Sequence, residues 1–354
     1  METQASINTI WPSVTDGEIE AMGSHYANLL EYFNSELATI VENSDLFALA
    51  APSEILRSIR ELKLLGSVPR LEAIETLRRG FTTQTSSEDR ILRSLDAAVR
   101  LWLTVNITSS GVRRPGLLVW TNEQTLGDLI ALHFKQLSSS QGSVALDERV
   151  PPDLTADSLV NNYGFTVSWT HNLAAHLIID WKHKIITIYE HKVCLQNHIR
   201  FPGNSLIPDD VLGEAIDTLN LLFPFQDDPT KRFLAKHKKP FYGLGFCNRP
   251  RKLELVEYRY WRNRIADLVD ILKGPPVGLQ QLRLERDGRN LLQFATFWIA
   301  TAVGILTIVS IGIGVVSIVY SAKQYDLAVK QYELSVVQTC LDPSVRTQIP
   351  HICT

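Results

Sequence analysis

From Asn290 to Ala322 the chain carries no charged residue, a run of 33 positions. Its apolar part reads FATFWIATAVGILTIVSIGIGVVSIVY. A helix needs about 20 apolar residues to cross roughly 30 Å of hydrocarbon, and this stretch exceeds that length. Core helices of soluble proteins are usually shorter and keep some polar residue. Trp298 and Tyr320 stand near its two ends. At 1.5 Å per residue they lie about 33 Å apart, which suits an aromatic side chain at each interface. One transmembrane helix over 291–322 is therefore expected, with 323–354 as a short C-terminal tail.

Orientation follows from the flanking cations. Lys273, Arg283, Arg286 and Arg289 lie within 20 residues before the span, whereas only Lys323 and Lys330 lie within 20 after it. The positive-inside rule places the N-terminal body in the cytosol and the tail on the lumenal or extracellular side. Which membrane is crossed is not legible. The opening METQASINTIWPSVTDGEIE has neither a basic n-region nor an apolar h-region, so the span itself is expected to direct insertion. Cys340 and Cys353 lie in the tail and could close a small disulfide loop in an oxidising lumen. The sequon Asn106-Ile107-Thr108 would be glycosylated only in the reverse orientation.

Ala300, Gly304, Thr307, Ser310, Gly314, Ser317 and Ser321 recur at spacings of three and four. Small residues at that period form a stripe that lets helix backbones approach closely in lipid, a face suited to a homodimer or a partner helix.

The body reads as mainly α with a small α+β part. Residues 1–136 carry helical periodicity and helix-start signals as a small bundle. These are a mixed pattern over 18–42, then helices opening near Pro52, Pro69, Ser86 and Thr121. The clearest places Ile91, Leu95, Ala98, Trp102 and Val105 on one face. LSSSQGSVALDERVPP, 137–152, has linker composition. An α+β part over 153–230 follows, with strands expected at Phe165–Thr170 and Lys184–Tyr189, a further one near Ile178–Trp181, and a helix from Asp209 to Leu222. Residues 231–290 form a basic juxtamembrane region, with a long helix expected from about Pro250 to Leu272, where Gly274-Pro275-Pro276 ends it.

Charge is distributed unevenly. Residues 1–230 hold 17 Lys/Arg against 29 Asp/Glu, whereas 231–290 hold 15 against 6. The basic region contains Lys231, Arg232, Lys236, Lys238, Lys239, Arg249, Arg251, Lys252, Arg259, Arg262 and Arg264, interleaved with aromatics. Next to a cytosolic leaflet, each such cation gains about 1 kcal/mol from anionic headgroups. Lipid contact is therefore the first reading, a solvated or ion-paired surface the second, and nucleic acid, which the same residue types could also bind, the third.

Reaction motifs are missing. There is no Gly-x-Ser-x-Gly, no phosphate-binding Gly-x-x-x-x-Gly-Lys-Ser/Thr and no His-Glu-x-x-His. His191-x-x-Cys194-x-x-x-His198, with Cys247 as a fourth group, lacks the paired spacing of a zinc site and reads as a partly buried cysteine beside surface histidines. Gly243-Leu244-Gly245 reads as a turn, and Asp209-Asp210 and Asp227-Asp228 as helix caps or turns. No cofactor or metal is expected.

Several segments together resemble uncharacterised proteins of filamentous fungi that end in a C-terminal single-pass anchor. They are Val99–Thr104, Gly164–Leu177, Leu219–Pro224, Tyr260–Arg264 and Arg286–Ala300, spread discontinuously over about 95–322. Gly288 stands where that pattern has a further basic residue. The resemblance implies a membrane-anchored protein and no activity. The expected function is a non-enzymatic, membrane-anchored scaffold or regulator that binds lipid and a protein partner. The alternative is a membrane-bound enzyme with a lipid or other hydrophobic substrate.

Overall fold

The computed structural model describes residues 7–21, 23–49, 51–80, 87–109, 114–139, 148–201, 203–274 and 291–341. It divides into two units, 1–277 and 278–354.

In the first unit, residues 7–10 are helical, followed by α1 (Asp16–Ala21) and α2 (Gly23–Glu42). Then come α3 (Pro52–Leu65), α4 (Arg70–Gly80) and α5 (Glu88–Leu103). α3 begins as its sequence dictates. Pro52 takes the first turn, where a missing N–H costs nothing, and Glu54 accepts the Ala51 N–H at 3.2 Å. α5 buries Ile91, Leu95, Ala98, Val99 and Trp102, each worth about 1.5–3 kcal/mol for the larger side chains. Trp102 donates its indole N–H to the Asn204 carbonyl at 2.7 Å.

Two short parallel strands, β1 (Ile107–Thr108) and β2 (Leu118–Val119), precede α6 (Leu126–Ser139). α7 (Ala156–Asn161) is capped by Thr155, whose side chain accepts the Ser158 N–H. A three-stranded sheet follows, formed by β3 (Thr166–Thr170), β4 (Ile179–Asp180) and β5 (Ile185–Tyr189) in the order β3-β5-β4. β5 runs parallel to β3 and antiparallel to β4. α8 (Lys192–Arg200) leaves β5 directly. α9 (Asp209–Leu222) is buried from Val211 to Leu222 and forms the centre of the unit. α10 (Asp228–Lys236) and α11 (Arg262–Lys273) complete it.

The architecture is mainly α with a small α+β part, as expected from the sequence. One apolar core runs from Ile7 through Trp102, Trp120 and Leu219 to Leu272, so the helical stretch and the sheet share it. Half of the expected linker, 140–147, lies outside the described residues, and its first three residues end α6. Its last residues are tied in: Val150 is buried and donates its N–H to the Leu253 carbonyl at 2.8 Å.

One helix is shorter than expected. The run from Pro250 to Trp261 is not α-helical: Glu254 is extended and bridges Arg149, Leu255–Glu257 form a 3-10 turn, and α11 starts at Arg262. The cause is α9. Glu214 accepts the backbone N–H groups of Arg259, Tyr260 and Trp261 at 2.7, 2.7 and 2.8 Å, and these donors would otherwise be spent within a helix.

The described part of the second unit is one helix, α12 (Leu291–Cys340), and the turn residue after it. Among the described residues it is the one helix long and apolar enough to cross a membrane, and its apolar window is unburied. At 1.5 Å per residue its 50 residues extend about 75 Å, well beyond a bilayer core. The segment expected as a tail therefore continues the helix to Cys340, carrying a Lys330–Asp326 pair at 3.0 Å.

Candidate functional site

β3 and β5 are paired in register, Thr166 with Ile185 through Thr170 with Tyr189. Because they are parallel, both chains leave the sheet at the same edge. His171 follows β3, and Glu190 and His191 follow β5, so the three arrive side by side. Ligands in open α/β sheets commonly sit outside such C-terminal strand ends.

His171 Nδ1 lies 2.8 Å from His191 Nε2 and 3.1 Å from Glu190 Oε1. Glu190 and His191 are buried, whereas the His171 side chain is 47% exposed. The second carboxylate oxygen, Oε2, receives Lys239 Nζ, and it receives Asn28 Nδ2 at 3.3 Å. Tyr32 stacks on the His171 ring with centroids 4.2 Å apart and planes 17° apart. Burial holds the His191 imidazole well below its ordinary value, helped by His171 and Lys239. Burial also lowers His171, against the pull of Glu190. Both rings are therefore neutral at pH 7, the form in which imidazole offers a lone pair. Sequence reading missed this trio. Its signal was the pair of expected strands, each followed at once by a histidine or a Glu-His; what stayed hidden was that they run parallel.

The quartet His191, Cys194, His198 and Cys247 is not a site. The histidines are buried, not surface residues as expected: His198 accepts the Trp11 indole N–H at 3.3 Å, while His191 turns toward His171. Cys194 is fully buried, 4.0 Å from Thr104 Oγ1, and burial pushes its thiol up to about 12. The two aspartate pairs sit as read, Asp209 and Asp210 in the first turn of α9 and Asp227 as the cap of α10, accepting the Thr230 N–H at 2.8 Å. Gly245 adopts φ 57° in a turn, and its carbonyl accepts Lys192 Nζ at 2.6 Å.

The basic region separates into two groups. Seven of its eleven expected lipid contacts meet partners within the body. Arg249 grips the fully buried Asp217 with Nε at 2.6 Å and Nη2 at 2.7 Å, and Lys252 joins the same carboxylate at 2.8 Å. Arg251 donates to the carbonyls of Leu221, Pro152 and Leu154. Arg262 donates to those of Leu255 and Tyr258, and Arg264 to that of His176. Lys239 pairs with Glu190, and Arg259 with Asp210 at 3.8 Å. The remaining four, Lys231, Arg232, Lys236 and Lys238, are exposed on α10 and its end and make no ion pair among the described residues. In α12 the expected stripe from Ala300 to Ser321 is exposed along its length, and a side chain at Gly304 or Gly314 would meet nothing within 4 Å. Cys353 lies outside the described residues, as does the side chain of Cys340, and so therefore does the expected disulfide.

An open depression of about 490 Å³ is lined by Gln196, Leu244, Phe246, Cys247, Asn248, Arg249 and Pro250. A cavity of about 10 Å³, barely one water in size, lies among Leu49, Leu77, Ile91 and Leu95. His171, Glu190 and His191 line neither.

No protein family, curated protein or solved structure matches the chain.

Proposed function

We propose that the chain is a single-pass membrane protein whose folded body, held at the cytosolic face, serves as a non-enzymatic scaffold or regulator. The observation that carries this reading is the uncharged run on an uninterrupted helix whose side chains are unburied. Water would meet a row that includes Ile305, Leu306, Ile308, Ile311, Ile313 and Ile318, each more than half exposed. Lipid removes that cost. The resemblance to anchored fungal proteins points the same way.

The excess of cations before the span supports a cytosolic body. There, Lys231, Arg232, Lys236 and Lys238 offer a compact basic surface to anionic headgroups. The acidic N-terminal part supplies the face for a protein partner, and the small-residue stripe in α12 supplies one for a second copy or a partner helix. Nucleic acid is disfavoured, because seven of the eleven cations in the basic region are spent on the body itself. Alkaline carbonate extraction of membranes tests anchoring. The full chain is expected to stay in the pellet, and a chain ending at residue 277 to be released; release of the full chain would sink the reading.

A further inference from the structure

The edge where β3 and β5 end holds three lone-pair donors that crowd one ring nitrogen. His171 Nδ1 faces His191 Nε2 at 2.8 Å and Glu190 Oε1 at 3.1 Å. A ring nitrogen carries at most one proton and directs it along one line. If Nδ1 is protonated, it can serve only one of its two neighbours. If His191 Nε2–H donates to it instead, its lone pair is occupied and the carboxylate oxygen faces a nitrogen with nothing to give. In either tautomer one of the two short contacts is left without a well-directed proton. A cation removes the conflict, because it accepts from all three at once.

We propose that His171, Glu190 and His191 bind a single divalent transition-metal ion of the zinc class, with water completing the coordination on the exposed side of His171. Zinc takes nitrogen and carboxylate ligands at about 2.0–2.2 Å in a tetrahedron, which sets ligand atoms about 3.3 Å apart. The two measured separations lie within about half an ångström of that spacing, and all the trio's ligand atoms lie within 4.8 Å of one another. Two imidazoles and one carboxylate suit zinc rather than magnesium or calcium, which prefer oxygen throughout.

The surroundings hold the ligands in place as a metal site's outer contacts do. Lys239 and Asn28 occupy Glu190 Oε2 and leave Oε1 turned to the histidines. Tyr32 fixes the His171 ring by stacking, and burial fixes His191. Glu31 and Glu36 act on His171 from α2 and offset the charge of Lys239. The exposed edge of His171 gives an ion its way in.

The test uses the full-length, tag-free chain in detergent, stripped with chelator and then titrated with Zn²⁺ alone and, separately, with Co²⁺. One zinc per chain should survive desalting, and Co²⁺ should give the intense visible absorption of a tetrahedral site. His171→Ala should weaken zinc binding at least about tenfold and abolish that absorption; because His171 is half exposed, the fold should persist, as checked by circular dichroism. Glu190→Gln should weaken binding similarly. His183→Ala, at an exposed histidine paired only to Asp180, should bind as the parent does. Failure to retain zinc, or a His171→Ala chain that binds as tightly as the parent, would overturn the proposal.

Discussion

At the scale of residues, the body is held by charges turned inward. Asp217 is fully buried, and its carboxylate is shared by Arg249 and Lys252, both of which keep partial contact with solvent. Removing the carboxylate strands two cations against the core; Asp217→Ala is expected to cost about 3 kcal/mol in denaturant unfolding. Lys231→Ala, at an exposed cation, should stay within about 0.5 kcal/mol. Equal effects would contradict the assignment of roles. Neutral histidines matter as much. His176 accepts the Tyr189 N–H on Nδ1 at 3.1 Å, so its other nitrogen carries the proton toward Thr218 Oγ1 at 2.7 Å. Burial holds His176 and His198 down at about 3 and His133 at about 4. All three lie below the unfolded value of about 6.5. Between these limits the unfolded chain binds more protons, so this stability is complete above about pH 6.5 and is lost as pH falls toward about 3. Asp96 works the other way: burial raises it to about 7, so the folded state holds its proton between about pH 4 and 7 and offsets one histidine. The denaturation midpoint should therefore fall from pH 7 to pH 5; a flat or rising midpoint would contradict these assignments.

At the scale of elements, α10 separates the two uses of positive charge. Reversing Lys231, Arg232, Lys236 and Lys238 to glutamate should reduce cosedimentation of residues 1–277 with anionic vesicles and leave neutral vesicles unaffected. At about 1 kcal/mol per cation, the loss should exceed tenfold. Unchanged binding would remove lipid docking from the account. Helix positions were legible where a local signal and a buried face coincided, as at Pro52 for α3, the Ile91–Trp102 stripe of α5 and the Asp209 start of α9. The region after Pro250 was not, because its backbone donors are claimed by Glu214, 45 to 47 residues away. The strands β3 and β5 were legible from their β-branched runs. Their parallel register, and with it the meeting of His171 with Glu190 and His191, depends on the path of the intervening chain, which no local pattern encodes. Likewise, counting cations near the span could not reveal that Arg249, Arg251 and Lys252 are spent on α9 and its surroundings.

At the scale of the whole molecule, the chain has a folded unit, 1–277, and a helix, apolar over its first half, that exceeds the thickness of a bilayer. The body has its own continuous core, so anchoring is not needed to complete it. The helix, in contrast, leaves its apolar surface unburied, and on the proposed reading lipid covers it. Protease protection on intact membrane vesicles, with an epitope tag at each end of the chain, tests this arrangement most directly. Protease is expected to destroy the N-terminal tag and spare the C-terminal one until detergent is added, with Asn106 unglycosylated. A protected N-terminal tag with a glycosylated Asn106, or digestion of both tags in intact vesicles, would contradict it.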